Sequence, residues 1–236
     1  MKEQISKYVC GDARVFFVSL SDAAARSAEQ NELNAGETAT LGKLEAFACG
    51  LAAMQKDAQA SVSVKLSFAD GSGFSATAER SGAVCGKKED SSPAPEDALE
   101  VTLRLPLRGN YTGIVTGKGL DQLTADYFAQ SLQIAAQCRV LQKETDFICI
   151  IADQLPGGKT DLKNTVAAAE SLVGGEIPAG FSLLESISLR FGCTCSRSAL
   201  LRVISALPET ERRSLADNGK IVTFCNACGK KYTFEL

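Results

Sequence analysis

The sequence predicts an α+β fold: an N-terminal mixed sheet with helices, a short helical linker, and a small C-terminal domain that contains four cysteines. Segments typical of strands and helices follow one another without a repeating βαβ unit, which disfavours a doubly wound sheet. Four of the nine cysteines fall within the last 44 residues. Seven basic and four acidic residues give this part a net charge of +3, whereas the preceding 192 residues carry −6. The cysteines and the charge therefore divide the chain at the same place.

The beginning of the chain is predicted to combine a strand with two helices. Ala13–Leu20 is rich in β-branched and aromatic residues and indicates a strand, after which Ser21 or Asp22 can cap an alanine-rich helix. A longer helix is predicted from Thr38, because apolar residues recur there at spacings of three and four. Its inward face is expected to carry Leu41, Leu44, Ala48 and Leu51.

Alternation of apolar residues and the positions of turn residues predict the next elements. Further strands are expected at residues 62–68, 74–79 and 99–105, of which a glycine-containing turn joins the first two as a hairpin, and at the strongly apolar residues 147–151. The charged, proline-containing stretch 87–97 is predicted to be an exposed loop. A helix is predicted over residues 120–134, with its inward side chains being Leu120, Leu123, Tyr127 and Ile134.

Between residues 155 and 190 the pattern weakens to glycine pairs around one short helical stretch, which is typical of a linker. We therefore predict three parts. Residues 1–155 form an N-terminal α+β core, residues 156–190 form the linker, and residues 191–236 form the C-terminal domain.

The chain contains no histidine, which excludes several kinds of site. Ser-His-Asp triads, Cys-His dyads and histidine-ligated zinc all need an imidazole. The net charge of −3 gives no chain-wide basic field for phosphate backbones. No apolar run approaches the roughly 18 to 20 residues that span a bilayer, and residues 1–4 lack the apolar core of a secretory signal. We therefore expect a cytoplasmic protein without a membrane partner.

Two closely spaced cysteine pairs lie in the C-terminal part. One residue separates Cys193 from Cys195, and after 29 intervening residues two residues separate Cys225 from Cys228. Each pair can turn two sulfurs toward one point, and tetrahedral Zn²⁺ takes four thiolates at about 2.3 Å. In a reducing compartment this spacing indicates a metal site, with four unconnected core cysteines as the alternative. We predict that these four residues ligate Zn²⁺.

The size of the C-terminal part makes such a metal important. A unit of 44 residues lies near the length below which domains need a metal, a disulfide or a partner to fold. Structural zinc contributes on the order of 10 to 16 kcal/mol of apparent folding free energy, so its loss should unfold the unit. Peroxide oxidises thiolates, and paired thiols can then close to disulfides. The site is therefore a candidate oxidant-triggered switch, and a permanently structural zinc ribbon is the alternative.

The other five cysteines are scattered singly through the chain. Cys49, Cys138 and Cys149 lie in apolar stretches and are predicted to be inert core residues. Cys10 and Cys85 are expected in more exposed places, where no neighbouring residue marks them as activated. We assign none of the five a role.

The motifs around the two cysteine pairs resemble a known family. Residues 191–197 (FGCTCSR) and 224–234 (FCNACGKKYTF), with a helical stretch between them, are similar to the zinc domain of the redox-regulated 33 kDa heat-shock chaperonin family. Residues 41–44 and 125–133 are similar to helices of the same family, with Leu132 in place of an acidic residue. Cys85 stands where the family commonly has arginine.

This resemblance implies an ATP-independent chaperone rather than an enzyme. In the reduced form, Zn²⁺ on the four cysteines would hold the C-terminal domain folded and the chaperone inactive. Oxidation would pair Cys193 with Cys195 and Cys225 with Cys228, release the zinc, and unfold the domain with the adjoining linker. The implied partners are unfolded or partly folded client proteins and, after activation, a second copy of the chain in a homodimer.

Two other functions are compatible with the cysteine spacing. The net charge of +3 motivates a zinc ribbon that binds nucleic acid, but four thiolates and one Zn²⁺ lower it to +1 and few basic residues alternate with aromatic ones. Binding to phosphates would weaken steeply with salt. A dithiol oxidoreductase would place Cys225 and Cys228 at the start of a helix, whereas here they follow the strand-like residues 221–224. The sequence disfavours both functions.

Overall fold

The computed structural model describes residues 2–106 and 108–235 of the chain. Met1 and Leu236, at the ends of the predicted first and last parts, and Leu107 lie outside the described residues. The strands are β1 (Gln4–Cys10), β2 (Ala13–Leu20), β3 (Ser61–Ser67), β4 (Ser72–Glu79), β5 (Ala83–Asp90), β6 (Asp97–Leu105), β7 (Gly109–Gly117), β8 (Ala136–Lys143), β9 (Asp146–Gln154), β10 (Phe181–Ser188), β11 (Arg190–Phe191), β12 (Lys220–Phe224) and β13 (Lys231–Glu235). The helices are α1 (Asp22–Gln30), α2 (Ala35–Ala53), α3 (Leu120–Asp126), α4 (Leu162–Ala169), α5 (Arg197–Ala206) and α6 (Glu209–Leu215).

Five antiparallel strands form the first sheet, in the order β10-β1-β2-β9-β8. The two predicted strands at residues 13–20 and 147–151 are confirmed as β2 and β9, which pair at its centre. At one edge, β1 pairs with β10 so that Gln4 lies opposite Ser188. The first sheet therefore joins segments that are far apart in the chain.

Six strands form the second sheet, in the order β11-β5-β4-β3-β6-β7. The predicted hairpin at residues 62–68 and 74–79 is confirmed as β3 and β4, and the predicted strand at 99–105 as β6. All neighbours are antiparallel except β11, which adds to β5 in parallel. One antiparallel sheet, one mixed sheet and the six α-helices of the described residues confirm the α+β class.

Helix α2 lies between the two sheets. It begins at Ala35, three residues before the predicted start, because Asn34 and Glu37 form a reciprocal capping box. The four predicted inward residues are buried, but the helix also buries most of its other side chains, because sheets cover it on both sides. Gly42 permits this approach, since a Cβ atom there would lie 2.5 Å from the Phe147 ring.

The prediction of an exposed loop over residues 87–97 is wrong in its first part. Residues 87–90 complete β5 and pair with β4, so that Lys87 lies opposite Ser75. Their charges do not prevent a strand, because the side chains are held in ion pairs. Glu89 contacts Lys65 and Lys87, each at 3.3 Å, and Lys88 contacts Glu37 at 2.6 Å.

The predicted helix over residues 120–134 ends earlier than its apolar spacing indicated. Regular α-helix stops at Asp126, and Tyr127–Leu132 continues as a π-helical segment. Gln133 then adopts a left-handed conformation with φ of 54°, which turns the chain toward β8. As a result Leu123 and Tyr127 are buried as predicted, whereas Ile134 is exposed.

Much of the region predicted as a linker packs on the first sheet. Helix α4 and the 3-10 turn Glu170–Gly174 place Val166, Ala169 and Leu172 in a small core against β1, β2 and β9. Residues 181–188 form β10 rather than a flexible connection, because β1 offers them a free edge to pair with. Among the described residues, no helix is long and apolar enough to cross a membrane.

Candidate metal centre

The first cysteine pair follows a strand that passes from one sheet to the other. After β10 leaves the first sheet, the Leu189 N–H donates to the Glu3 carbonyl, and Arg190 and Phe191 pair with β5 in the second sheet. The Gly192 N–H then donates to the Val84 carbonyl at 3.0 Å. Cys193 and Cys195 follow directly, so the backbone before them is fixed by both sheets.

The second pair lies in the turn between β12 and β13. The Cys225 N–H donates to the Lys230 carbonyl and the Gly229 N–H to the Cys225 carbonyl, both at 2.9 Å. The Ala227 N–H points at the Cys225 sulfur at 3.4 Å. These bonds close a tight turn at residues 225–230, which we call the knuckle. Gly229 in this turn has φ of 72°, a value that residues other than glycine rarely adopt.

The structure brings the four predicted ligand residues together. The sulfur atoms of Cys193, Cys195, Cys225 and Cys228 all lie within 4.8 Å of one another. The Sγ atoms of Cys193 and Cys225 are 3.7 Å apart, as are those of Cys195 and Cys228. Four sulfurs placed tetrahedrally at about 2.3 Å from one ion lie about 3.8 Å from each other. The distances and the all-sulfur donor set therefore fit a tetrahedral Zn²⁺ site.

The surroundings of the cluster act in opposite directions on the ionisation of its sulfurs. The Tyr232 hydroxyl lies 3.1 Å from the Cys195 sulfur, and this contact raises the pKa of the phenol. Although burial opposes ionisation, backbone hydrogen bonds from Cys228 and Ala227 lower the pKa of Cys225, whereas burial raises the pKa of Cys193 and of Cys228. The guanidinium of Arg197, two residues after Cys195, stacks 4.5 Å from the centre of the Phe234 ring. Backbone hydrogen bonds therefore favour a thiolate at Cys225, and burial opposes one at Cys193 and Cys228.

A short interface holds the knuckle against α1. The carbonyl of Cys228 accepts hydrogen bonds from the side chain of Gln30 at 2.5 Å and from that of Asn31 at 3.3 Å. The Asn31 amide also donates to the Gly86 carbonyl of β5 at 3.1 Å. The sequence predicted neither residue for the site, because polar residues after a helix resemble an ordinary helix terminus.

Cys85 is the cluster neighbour that sequence reasoning missed. It was expected in an exposed place, but it is only 2% exposed and packs with Cys225, Cys228 and Tyr232. Burial raises the pKa of this thiol to about 12. The sequence did offer one indication of a special role, because Cys85 stands where the resembled family commonly has arginine.

The remaining cysteines lie away from the four-cysteine cluster. Cys49 and Cys149 are buried in the main core, as predicted, and burial raises the pKa of both thiols. Cys138 is half-buried at the edge of that core, and Cys10 is half-buried beside the smaller core under α4. None of these thiols takes part in the cluster at residues 193–228.

The segment that carries the cluster has little core of its own. Among residues 191–235, the buried residues are Ile221, Cys225, Cys228, Tyr232 and Phe234. Helices α5 and α6 bury none of their residues, and Val203 is 64% exposed. Two of the five buried residues are themselves cysteines of the cluster, so few apolar side chains stabilise this segment apart from the cluster.

Comparisons with known proteins agree with these features. A 33 kDa chaperonin from Shewanella frigidimarina is 26% identical over 157 residues, which are 58% of this chain and 55% of that protein. A 33 kDa chaperonin from Caldanaerobacter subterraneus is 31% identical over 126 residues, or 51% of this chain and 40% of that protein. The matches thus span about half of the length of these curated relatives.

The fold is also similar to a solved structure. The crystal structure of the 33 kDa chaperonin from Thermotoga maritima, a heat shock protein 33 homologue, superposes with a TM-score of 0.77 at 15% identity. The superposition covers 99% of this chain and 95% of that one. A family model described as "Hsp33 protein" matches residues 5–235. From this nearly full-length match and the shared fold, we conclude that the chain belongs to the Hsp33 family.

Proposed function

We propose that the protein is a redox-regulated, ATP-independent chaperone that binds unfolding proteins after its four-cysteine cluster is oxidised. The observation that carries this proposal is the cluster itself, with four sulfurs within 4.8 Å of one another in a segment that buries only five of its described residues. Membership of a chaperonin family supports the chaperone part. Each cysteine of the cluster is proposed as a Zn²⁺ ligand when reduced.

We propose that the C-terminal segment is folded and the chaperone inactive in the reduced state. A bound Zn²⁺ would cross-link four thiolates and supply most of the folding free energy of the C-terminal segment. The chain adds Tyr232, which donates to the Cys195 sulfur, and the side chains of Gln30 and Asn31, which hold the Cys228 carbonyl against α1. We propose that these contacts help to keep residues 191–236 folded and docked, and that this segment is the switch domain.

Oxidation removes the ligands. Disulfides between Cys193 and Cys195 and between Cys225 and Cys228 leave no thiolate to hold a metal, and the small core of the segment cannot replace that cross-link. The hairpin of β12 and β13 then loses its support. We propose that residues 191–236 unfold first and that the preceding linker, residues 156–190, follows.

Unfolding of the linker would expose a client-binding surface. Val166, Ala169 and Leu172 cover a face of the first sheet that carries Phe17 and Ile150. If α4 and the 3-10 turn leave, these buried apolar side chains become accessible, and a large exposed apolar surface binds unfolded chains. The N-terminal core, residues 1–155, is proposed to stay folded and to present this face, and the activated form is proposed to be a homodimer.

The test compares the reduced, zinc-loaded protein with the peroxide-treated protein in the thermal aggregation of an unfolding enzyme. The oxidised protein should suppress aggregation without ATP, and the reduced protein should not. Zinc content and free thiols measured on the same samples should show one Zn²⁺ lost as four thiols disappear. A Cys228→Ser variant should lose the zinc without oxidant, whereas a Cys10→Ser variant should behave as the unmodified protein does. Equal suppression by both forms would refute the switch and leave a permanently structural zinc ribbon.

A further inference from the structure

A fifth thiol lies at the junction between the second sheet and the cysteine cluster. Cys85 sits in the middle of β5, opposite Thr77 of β4, and its side chain is buried. It forms one apolar cluster with Cys225, Cys228, Tyr232 and Phe234, against which Cys193 and Cys195 pack. The proposed zinc site accounts for four of these thiols and leaves Cys85 without a role.

The strand pairing brings Cys85 next to Gly192, the residue that precedes Cys193. Strand β11 lies parallel to β5 with Phe191 opposite Val84, and the Gly192 N–H donates to the Val84 carbonyl at 3.0 Å. The next residue along β5 is Cys85, and Cys193 follows Gly192. Cys193 packs against the buried apolar cluster to which Cys85 belongs. A close backbone approach supports this arrangement, because a Cβ atom on Gly192 would lie 3.1 Å from the Cβ of Ala83.

We propose that Cys85 is a redox partner of Cys193, and that oxidation of the metal-free cluster forms a Cys85–Cys193 disulfide in competition with the Cys193–Cys195 pairing. This inference rests on the proposed function only in taking the cluster to be the site of oxidation. Cys193 is half-buried and accessible to a small oxidant, whereas Cys85 is buried and needs to reach only its neighbour.

With hydrogen peroxide as the oxidant, the reaction balances in two steps. The Cys193 thiolate attacks one peroxide oxygen, the O–O bond breaks, and the products are a Cys193 sulfenic acid and, after protonation, water. The Cys85 sulfur then attacks the sulfenic sulfur, the S–O bond breaks as the S–S bond forms, and a second water leaves. Two thiols lose two electrons and two protons in total, and the peroxide accepts both.

This disulfide would have the opposite mechanical effect to a Cys193–Cys195 disulfide. It joins the start of the cluster to β5, so that β11 stays docked on the second sheet after the rest of the segment has come loose. Cys195 is left without its sequence neighbour, while Cys225 and Cys228 can still pair. The oxidised protein would therefore contain a tethered form and a fully released form.

Peptide mapping tests this pairing directly. The full chain is stripped of metal by a chelator under reducing conditions, freed of reductant, treated with hydrogen peroxide, alkylated, digested and analysed by mass spectrometry. We expect a cross-linked peptide pair containing Cys85 and Cys193. That pair should be retained in a Cys10→Ala control and lost in Cys85→Ala and, independently, in Cys85→Ser. Cys85 found only in the alkylated form, with no cross-link to Cys193, or joined only to another residue, would overturn the proposal.

A second measurement follows the mechanical consequence. After oxidation, residues near Arg190 should exchange amide hydrogens faster in Cys85→Ala than in the unmodified protein, because β11 is no longer tethered. Equal exchange in both proteins contradicts the tether. The aggregation assay on the same samples separates this inference from the proposed function: suppression without the cross-link refutes only the Cys85 pairing, and the cross-link without suppression refutes only the chaperone switch.

Discussion

The carboxyl group of Glu45 is buried on α2 between the two sheets. Its Oε1 atom accepts a hydrogen bond from the Ser27 hydroxyl at 2.5 Å, and its Oε2 atom has no partner within the described part of the chain. Burial raises the pKa of this carboxyl to about 8, against the lowering effect of the Ser27 hydrogen bond. The native state therefore holds a proton that the unfolded chain has already lost at neutral pH.

This proton predicts a pH dependence of stability. Between the unfolded pKa of about 4.5 and the native pKa of about 8, the native state binds more protons, so the free energy of unfolding falls as pH rises. The slope from this group is about 1.4 kcal/mol per pH unit within that window, and the contribution is fully present only below it. Glu45→Gln, which mimics the protonated acid, should remove this slope. Urea unfolding at pH 5 and pH 8 measures it, and an exposed Glu29→Gln control should keep the slope.

Tyr232 supplies a second prediction for a single residue. Its hydroxyl contacts the Cys195 sulfur, and partners that orient metal ligands typically contribute about tenfold or more to metal affinity. Tyr232→Phe should therefore bind Zn²⁺ about tenfold more weakly in competition with a chromophoric chelator. Tyr111→Phe, whose side chain is 56% exposed, should bind as the unmodified protein does. An unchanged affinity of Tyr232→Phe would show that the phenol has no part in the site.

At the scale of single residues, the sequence allowed the four clustered cysteines to be predicted because their spacing is local. Cys85, Gln30 and Asn31 could not be found in this way, because strand pairing and helix packing bring them to the cluster from distant segments. Glu45 was hidden for another reason. It interrupts an apolar helix face, where a carboxylate is ordinarily expected to point outward.

At the scale of elements, the knuckle between β12 and β13 packs closely against the end of α1, at Asn31. A Cβ atom on Gly229 would lie 2.2 Å from the Asn31 Oδ1 atom. Gly229 also has φ of 72°, and Gly219, in the turn before β12, has φ of 76° with open space around its Cβ position. A side chain at either glycine would strain the backbone, but only a side chain at Gly229 would also collide with Asn31 in the docking interface.

Gly229→Ala is therefore expected to loosen the docked hairpin more than Gly219→Ala does. Both variants add backbone strain of about 1 kcal/mol, and only Gly229→Ala must also displace Asn31 from the Cys228 and Gly86 carbonyls. Hydrogen exchange of β12 and β13 in the reduced protein measures the difference. Identical exchange in the two variants would mean that the Asn31 contacts do not stabilise the hairpin.

Strands were the elements best predicted from sequence, either from alternating apolar residues, as in β3 and β6, or from runs of β-branched, aromatic and other apolar residues, as in β2 and β9. Predictions failed where the neighbours decide the structure. Residues 87–90 are charged and yet form a strand, because β4 pairs with them and lysines neutralise Glu89. Residues 181–188 carry exposed Leu183 and Leu184 and gain their strand structure from β1, which no local pattern indicates.

At the scale of the whole molecule, stability is divided unequally. One large core contains α2 and the inner faces of both sheets, whereas the cysteine cluster sits in a small separate core. A metal ion that cross-links the four cysteines should therefore directly stabilise the small core and not the large one. The α+β class could be predicted from the sequence, but this arrangement depends on a strand order that the sequence does not specify.

Metal removal under reducing conditions should therefore unfold the molecule in part. We expect a chelator to abolish amide protection in residues 197–235 while strands β1–β9 stay protected, because the large core that they form needs no metal. Hydrogen exchange followed by mass spectrometry measures this, and readdition of Zn²⁺ should restore the protection. Loss of protection throughout both sheets would show that the two cores unfold as one unit.

The pairing of β1 with β10 also affects how the chain folds while it is being translated. At about 5–20 residues per second, a ribosome takes roughly ten to thirty seconds to make the chain between these two strands. During that time the outer edge of β1 has unpaired N–H and C=O groups, which can pair with another chain. Nascent copies of this protein therefore have a strand edge open to association with another chain until β10 has emerged.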